Sequence, residues 1–329
     1  MYLLDKIQAL IEQQVVPVVS YAYLNHEQVL QDTMGVNTWK PSITQLPADP
    51  LYDLASLTKV IGTTTVLLHL IEQKKLSYDT PICQWLPQFS DSRVTLRHLM
   101  THTSGIKGYI KNRDQLSKED LLLQILQLPV TADFNRVIKY TDTGPILAGL
   151  IIEKIYQQPV QQVIEQVILK PLGLLEATFN PKPQRCVVTT TRQGQNLQGV
   201  VHDPKAQQLG EDCGSAGMFA SLTDLVRFSQ FMLGQLKIQQ PPISFITVKS
   251  LYKSFTPVAP GRSFGWDLRW NSQHQPVLYH TGYTGNFWGL DWYRQQAVIV
   301  LSNRVHPFND NQRFLAYREA IMELFLKMD

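Results

Sequence analysis

Asp53-Leu-Ala-Ser56-Leu-Thr-Lys59-Val-Ile-Gly-Thr-Thr-Thr-Val-Leu-Leu-His-Leu-Ile-Glu72 is the stretch around which the rest of the chain is read. It predicts a helix of about four to five turns that is apolar nearly all round, with Val60, Ile61, Val66, Leu67, Leu68, Leu70 and Ile71 on its faces. Such a helix is buried. Ser56 and Lys59, three residues apart, share one side of its first turn. The unpaired N–H groups at a helix start carry partial positive charge, which suits an oxyanion forming beside Ser56. A partly desolvated lysine moves towards the range of a base. A hydroxyl, an amine and an anion-stabilising helix end are the parts of an activated serine nucleophile.

Two more Ser-x-x-Lys sequences occur. Ser104-Gly-Ile-Lys107 has a glycine after its serine and reads as a helix stop. Ser250-Leu-Tyr-Lys253 runs into Pro257 within a turn, which leaves no room for a buried helix. Ser56 alone opens a long apolar helix.

The 329 residues suffice for one large domain or two interleaved ones. A hydrophobic fraction of 44% beside 17% charged residues fits a globular protein. The net charge of +3, with no Lys/Arg block, gives nucleic-acid and membrane-surface binding no support. Cys83, Cys186 and Cys213 have no regular spacing and read as reduced thiols. The first residues lack the basic and apolar regions of a signal peptide, and no long apolar run occurs, so a cytoplasmic location is expected.

Residues 3–14 predict an amphipathic helix, 15–24 a strand and 28–34 its hairpin partner. Short helices are expected after Thr95 and over 118–128, 145–157 and 159–169, then 221–233, with a closing helix over 311–328. Strand signals occur at 264–270, 277–281, 286–293 and 297–302. Strands at both ends around a helical middle imply an α+β chain. Residues 1–75 and 185–329 are assigned to a sheet domain, and 76–184 to an inserted, mainly helical domain.

Tyr140-Thr-Asp142 precedes the helix near Pro145, and His280-Thr-Gly282 ends a strand signal before Tyr283. With Ser56-x-x-Lys59, these triplets stand in the chain order of the serine β-lactamase and penicillin-binding-protein superfamily, which the chain resembles. It is nearest in look to class C β-lactamases, D-alanyl-D-alanine carboxypeptidases and family VIII carboxylesterases. The segments from Val94 to Gly105, Pro171-Leu-Gly-Leu174, Val201-His-Asp203 and Gly214 to Phe219 extend the resemblance over roughly residues 15–305.

The resemblance implies an antiparallel sheet flanked by helices beside an all-helical domain, with a cleft between them. It implies Ser56 as nucleophile, Lys59 as its hydrogen-bonded amine and Tyr140 as general base. The N–H groups of Ser56 and Tyr283 would form the oxyanion hole. Asp142, His280, Thr281 and Gly282 would contact substrate, with no cofactor and no metal. Asp142 replaces the usual asparagine; it favours an ammonium at Lys59 and removes an amide donor, which shifts the expectation from peptides and β-lactams towards esters. His280 replaces the commoner lysine and binds an anion strongly only below roughly pH 6.5. Activity on carboxylate-bearing substrates is therefore expected to weaken between about pH 6 and 8.

Bland readings stand beside these. Tyr140 alone is a packed aromatic, Asp142 is equally an N-cap for the 145–157 helix, and His280 alone is a strand-end histidine. His98 and His102 lack the glutamate of a His-Glu-x-x-His site and read as packing. Val201-His-Asp203 reads as a structural turn, and with no Gly-Lys dipeptide a P-loop is excluded. The expectation is a serine hydrolase acting through an acyl-enzyme on small esters or amides, with slow β-lactam turnover. The alternatives are a D-Ala-D-Ala-type carboxypeptidase or true β-lactamase, and a penicillin-binding or sensor module without turnover. The sequence leaves the oligomeric state open.

Overall fold

Period-two alternation in Val18–Leu24 sets the sheet. In the computed structural model, which describes residues 2–107, 110–192, 194–307 and 311–328, this segment is strand β1. Val19, Tyr21 and Tyr23 join one apolar cluster, while Val18, Ala22 and Leu24 join another, so the two faces of one strand feed two cores. A hairpin leads to β2 (Val29–Gly35), in register from Leu24↔Val29 to Val18↔Gly35. Asn25 holds that turn, its side-chain oxygen accepting from the N–H groups of Glu27 and Gln28.

The other strands are β3 (Tyr52–Asp53), β4 (Val188–Arg192), β5 (Gln195–Gln198), β6 (Phe219–Ala220), β7 (Asp267–Trp270), β8 (Pro276–Thr281), β9 (Phe287–Asp291) and β10 (Gln296–Ser302). The main sheet has six strands in the order β2-β1-β10-β9-β8-β7, every neighbour antiparallel. β3 pairs with β6, and β4 with β5. The strand expected over 264–270 begins only at Asp267. Gly265 takes a positive φ of 83° and its N–H donates to the Met100 carbonyl, which ties this approach to the helical side instead of the sheet.

The α-helices are α1 (Tyr2–Glu12), α2 (Thr64–Glu72), α3 (Leu96–Met100), α4 (Lys118–Leu126), α5 (Thr143–Tyr156), α6 (Val160–Ile164), α7 (Lys170–Leu172), α8 (Pro204–Leu209), α9 (Leu222–Met232), α10 (Phe245–Ser250) and α11 (Gln312–Lys327). Helices α1 and α11 cover the sheet face of Tyr21 and Val300 through Ile7, Leu10, Phe314, Ile321 and Phe325. On the other face one continuous apolar cluster runs from Ala22, Leu278 and Ile299 through Val66 and Leu70 of α2 to Ile151 of α5 and Val163 of α6. The helices between 76 and 184 thus share a core with the sheet. Among the described residues, no helix is long and apolar enough to cross a membrane.

The helix that follows Ser56 departs from the expected regular form. Lys59–Thr63 is a wide π-helical turn, closed by the Thr64 N–H donating to the Lys59 carbonyl, and α2 continues from it. Such turns recur at functional sites because they shift side chains off the regular spacing. Side-chain bonds support this one: Thr65 Oγ1 donates to the Val60 carbonyl at 3.0 Å, and Thr63 Oγ1 to the Gly214 carbonyl at 2.6 Å.

Candidate active site

Ser56 is set by the two residues before it. Asp53 is fully buried at the end of β3; its carboxylate accepts the Ala55 N–H at 2.9 Å and the His202 N–H at 2.6 Å. Ala55 sits at φ 46°, in the left-handed region that non-glycine residues seldom enter. The Asp53 bond to Ala55 holds that sharp turn, which brings Ser56 into the cleft at the head of the helix. Lys59, 2% exposed, then uses its three N–H groups on Ser56 Oγ at 2.7 Å, the Ser215 carbonyl at 2.8 Å and Asp142 Oδ1 at 2.8 Å. Burial alone would lower the lysine pKa, but Asp142, and after it Tyr140, more than offset it. The shift is upward, and Lys59 is an ammonium, as the aspartate in place of asparagine led one to expect.

Tyr140 stands half-exposed in the same cleft, its ring 4.5 Å from that of His102 and 6.1 Å from that of His280. Lys59 Nζ lies 5.5 Å and Arg262 Cζ 5.9 Å from its ring centroid. His102, which reads as packing in the sequence, positions this segment. Its carbonyl accepts from the Lys139 N–H at 2.8 Å, and Nδ1 from the Thr141 N–H at 3.4 Å. Burial, and then the Arg262 and Lys59 charges, hold its imidazole neutral. His98 instead closes a capping box with Thr95 and stacks on Phe134 at 4.6 Å.

Asp142 occupies the N-cap position of α5, yet its side chain makes no cap bond; Thr141 Oγ1 accepts the Thr143 N–H at 3.2 Å. One Asp142 oxygen pairs with Lys59 and the other with Lys205, so the carboxylate expected to contact substrate is engaged by two ammoniums. Burial would raise its pKa, but Lys59 and Lys205 together hold it well below the usual carboxylate range. Lys205 itself carries no motif in the sequence. Its only signal is that it lies two residues beyond Val201-His-Asp203, which is more than a turn: Asp203 caps α8 by accepting the Ala206 N–H, and His202 lines the cleft against Tyr283, ring centroids 5.2 Å apart.

The end of β8 supplies the facing wall. His280 is 3% exposed, with Nδ1 3.0 Å from the Thr281 carbonyl and Nε2 without a partner among the described residues. Burial, followed by Arg262 and Lys59, drives its pKa far below the ordinary histidine value. The expectation that a protonated His280 grips a carboxylate and releases it between about pH 6 and 8 therefore fails. A histidine sealed beside two cations stays neutral across that window. Thr281 does line the cleft. Gly282 allows a close backbone approach, since a Cβ there would lie 2.6 Å from the Leu54 carbonyl oxygen.

Tyr283 follows, half-exposed. Its N–H and that of Ser56 donate to no protein acceptor among the described residues. The turn that carries Tyr283 is fastened to the nucleophile segment, because Thr284 Oγ1 and Asn286 Nδ2 both donate to the Asp53 carbonyl at 2.8 Å. Asp53 therefore joins Ser56, Tyr283 and His202, a role its place in the sequence does not reveal. The resulting cleft of about 460 Å³ brings Ser56, Tyr140, Asp142, Thr281 and Tyr283 together. Among the described residues, no three His, Cys, Asp or Glu side chains converge as a metal-ligand set.

Known proteins resemble this chain in sequence and in fold. A putative D-alanyl-D-alanine carboxypeptidase of Escherichia coli (strain K12) is 28% identical over 312 residues, covering 80% of this chain and 71% of that protein. A protein of the same description from Escherichia coli O157:H7 is 30% identical over 315 residues, with the same coverage. A class C beta-lactamase has the same fold with a TM-score of 0.80 at 17% identity, over 99% of this chain and 96% of that one. EstCE1, a hydrolase with promiscuous acyltransferase activity, gives 0.77 at 18% identity, over 97% and 98%. The family model described as Beta-lactamase matches residues 3–321, a span that includes every residue brought together in the cleft. This chain belongs to the beta-lactamase family, within the serine β-lactamase superfamily of hydrolases.

Proposed function

We propose that the protein hydrolyses small esters or amides through an acyl-enzyme on Ser56, with slow turnover of β-lactams. The observation that carries the reading is the Lys59 Nζ–Ser56 Oγ bond of 2.7 Å beside Tyr140 in an open cleft. Ser56 Oγ accepts from the ammonium, so its own proton is directed elsewhere, and Tyr140 is the group that takes it. Oγ attacks the substrate carbonyl, and the N–H groups of Ser56 and Tyr283 receive the oxyanion. Tyr140 passes the proton to the leaving alcohol or amine as its bond to carbon breaks. Water then attacks the acyl carbonyl and gives a proton to Tyr140, which returns it to Oγ as the acid departs. In this reading residues 1–75 and 185–329 form one domain, bearing Ser56 and Tyr283, and 76–184 the other, bearing Tyr140.

Esters are favoured over peptides because Asp142 offers no N–H to a substrate amide and has both oxygens on lysines. The carboxypeptidase reading draws on the description of the Escherichia coli relatives. A sensor without turnover is disfavoured by the intact Ser56, Lys59 and Tyr140. The test is turnover of 4-nitrophenyl acetate, with intact-protein mass after exposure to a β-lactam, for wild type and Ser56→Ala. The expected result is an ester rate at least about 10³-fold lower in Ser56→Ala and a β-lactam adduct confined to wild type. Undiminished turnover in Ser56→Ala would overturn the proposal; D-Ala release faster than ester hydrolysis would favour the carboxypeptidase.

A further inference from the structure

Asp142 brings a negative charge close to the nucleophile, and a second lysine answers it. Its Oδ1 lies 2.8 Å from Lys59 Nζ, which lies 2.7 Å from Ser56 Oγ. Unanswered, this carboxylate would cancel the Lys59 charge and oppose the negative charge that develops on the oxyanion during attack. It makes no cap bond to α5, and among the described residues its side-chain partners are the two lysines. Lys205 takes the outer oxygen. That lysine stands in the first turn of α8, where a cation meets the positive end of the helix and weakens it. The needs of α8 therefore do not explain its place. Asp203 Oδ2 lies 3.8 Å from Lys205, but the other Asp203 oxygen caps α8 by accepting the Ala206 N–H at 2.9 Å. The side chains of Lys205 and Asp142 are 16% and 21% exposed, so water and salt screen their attraction only in part.

We infer that Lys205 is a positioning residue for the Ser56 chemistry. It fixes the outer oxygen of Asp142, turns the inner one to Lys59 and offsets the carboxylate charge, so that Lys59 acts on Ser56 as a cation. This rests on the serine hydrolase reading of Ser56. Lys205 acts on Ser56 through Asp142 and Lys59. Its contribution thus belongs to the transition state, where charge develops, and not to the binding of a neutral ester.

The test is a double-mutant cycle followed with 4-nitrophenyl acetate. In Lys205→Met, kcat and kcat/KM should fall together by about 10- to 100-fold, and Lys205→Arg should recover most of the loss. In an Asp142→Asn background there is no charge to offset, so adding Lys205→Met should cost less than about threefold. A lysine that merely packs the cleft wall would cost the same in both backgrounds. That result, or a rise in KM alone, would overturn the inference. Where Asp142→Asn turns the ester over too slowly to follow, the rate of Ser56 labelling by a fluorophosphonate, read by intact mass, supplies the same ratio. The link is read without catalysis from the urea midpoints of the same four proteins. Lys205→Met should lower the midpoint with Asp142 present and leave it nearly unchanged with asparagine there. Equal shifts in the two backgrounds would sink the inference. If the midpoints are coupled but wild type neither turns over the ester nor takes the label, the serine reading has failed and the Lys205–Asp142 link stands.

Discussion

Burial pushes the Asp53 carboxyl up to about 6, against the pull of the N–H groups of Ala55 and His202, with Asp203 adding to the rise. The folded protein thus holds this proton more tightly than the unfolded chain does. The stability it brings is present in full below about pH 4 and is lost as pH rises through 6. Asp53→Asn removes the titration, so between pH 4.5 and 7.5 the variant should gain on wild type by about 2 kcal/mol. Urea midpoints at the two pH values measure this, and a constant difference would refute it. Activity should fall in the same variant, because an amide sets donor against donor at the His202 N–H. At this scale Asp142 pointed to an ammonium at Lys59, and that reading prevailed over the expectation of a desolvated base at the helix start. Nothing in the sequence showed that His280 is buried, and nothing pointed to Lys205 at all. Whether a histidine is sealed from water, and which ammonium reaches Asp142, depends on segments far apart in the chain.

Helix α5 delivers Tyr140 and Asp142 to Ser56 by running unusually close to its neighbours. A Cβ on Gly144 would lie 2.5 Å from the Leu99 carbonyl oxygen, whereas one on Gly149 would lie 3.3 Å from Gly214. Gly144→Ala should therefore cost about 1–3 kcal/mol, and by moving Asp142 off Lys59 it should lower kcat/KM by about tenfold or more. Gly149→Ala should cost less on both counts. Thermal melts with ester kinetics decide it; equal effects of the two variants would contradict the close approach to α3. Apolar periodicity made most helices and the β1–β2 hairpin legible. The π-helical turn at Lys59–Thr63 was not, because the Thr63 and Thr65 side-chain bonds that support it have no periodic signature. The late start of β7 escaped for a related reason, Gly265 being bound to Met100 on another element.

The cleft and the α1–α11 layer lie on opposite faces of one sheet. Phe325 of α11 is fully buried in the cluster that α1 and α11 form, on the face away from α2. Phe325→Ala should cost about 3–5 kcal/mol while the folded fraction keeps the wild-type kcat. Denaturant titration paired with active-site-normalised kinetics measures both, and a fall in kcat would show that the faces are coupled. Strands at both ends of the chain pointed to one sheet, but its order was hidden, because pairing partners carry no mark in the sequence. That order also has a kinetic meaning. Val19 pairs with Ser302, so β1 must wait for the much later β10 before its inner edge is closed. Tyr283, too, is synthesised long after Ser56. A nascent chain can build helices early, but it cannot bring Tyr283 beside Ser56 until β8 and the turn after it have been made. The assembled cleft is thus a late and stringent reporter of the pairing of distant segments.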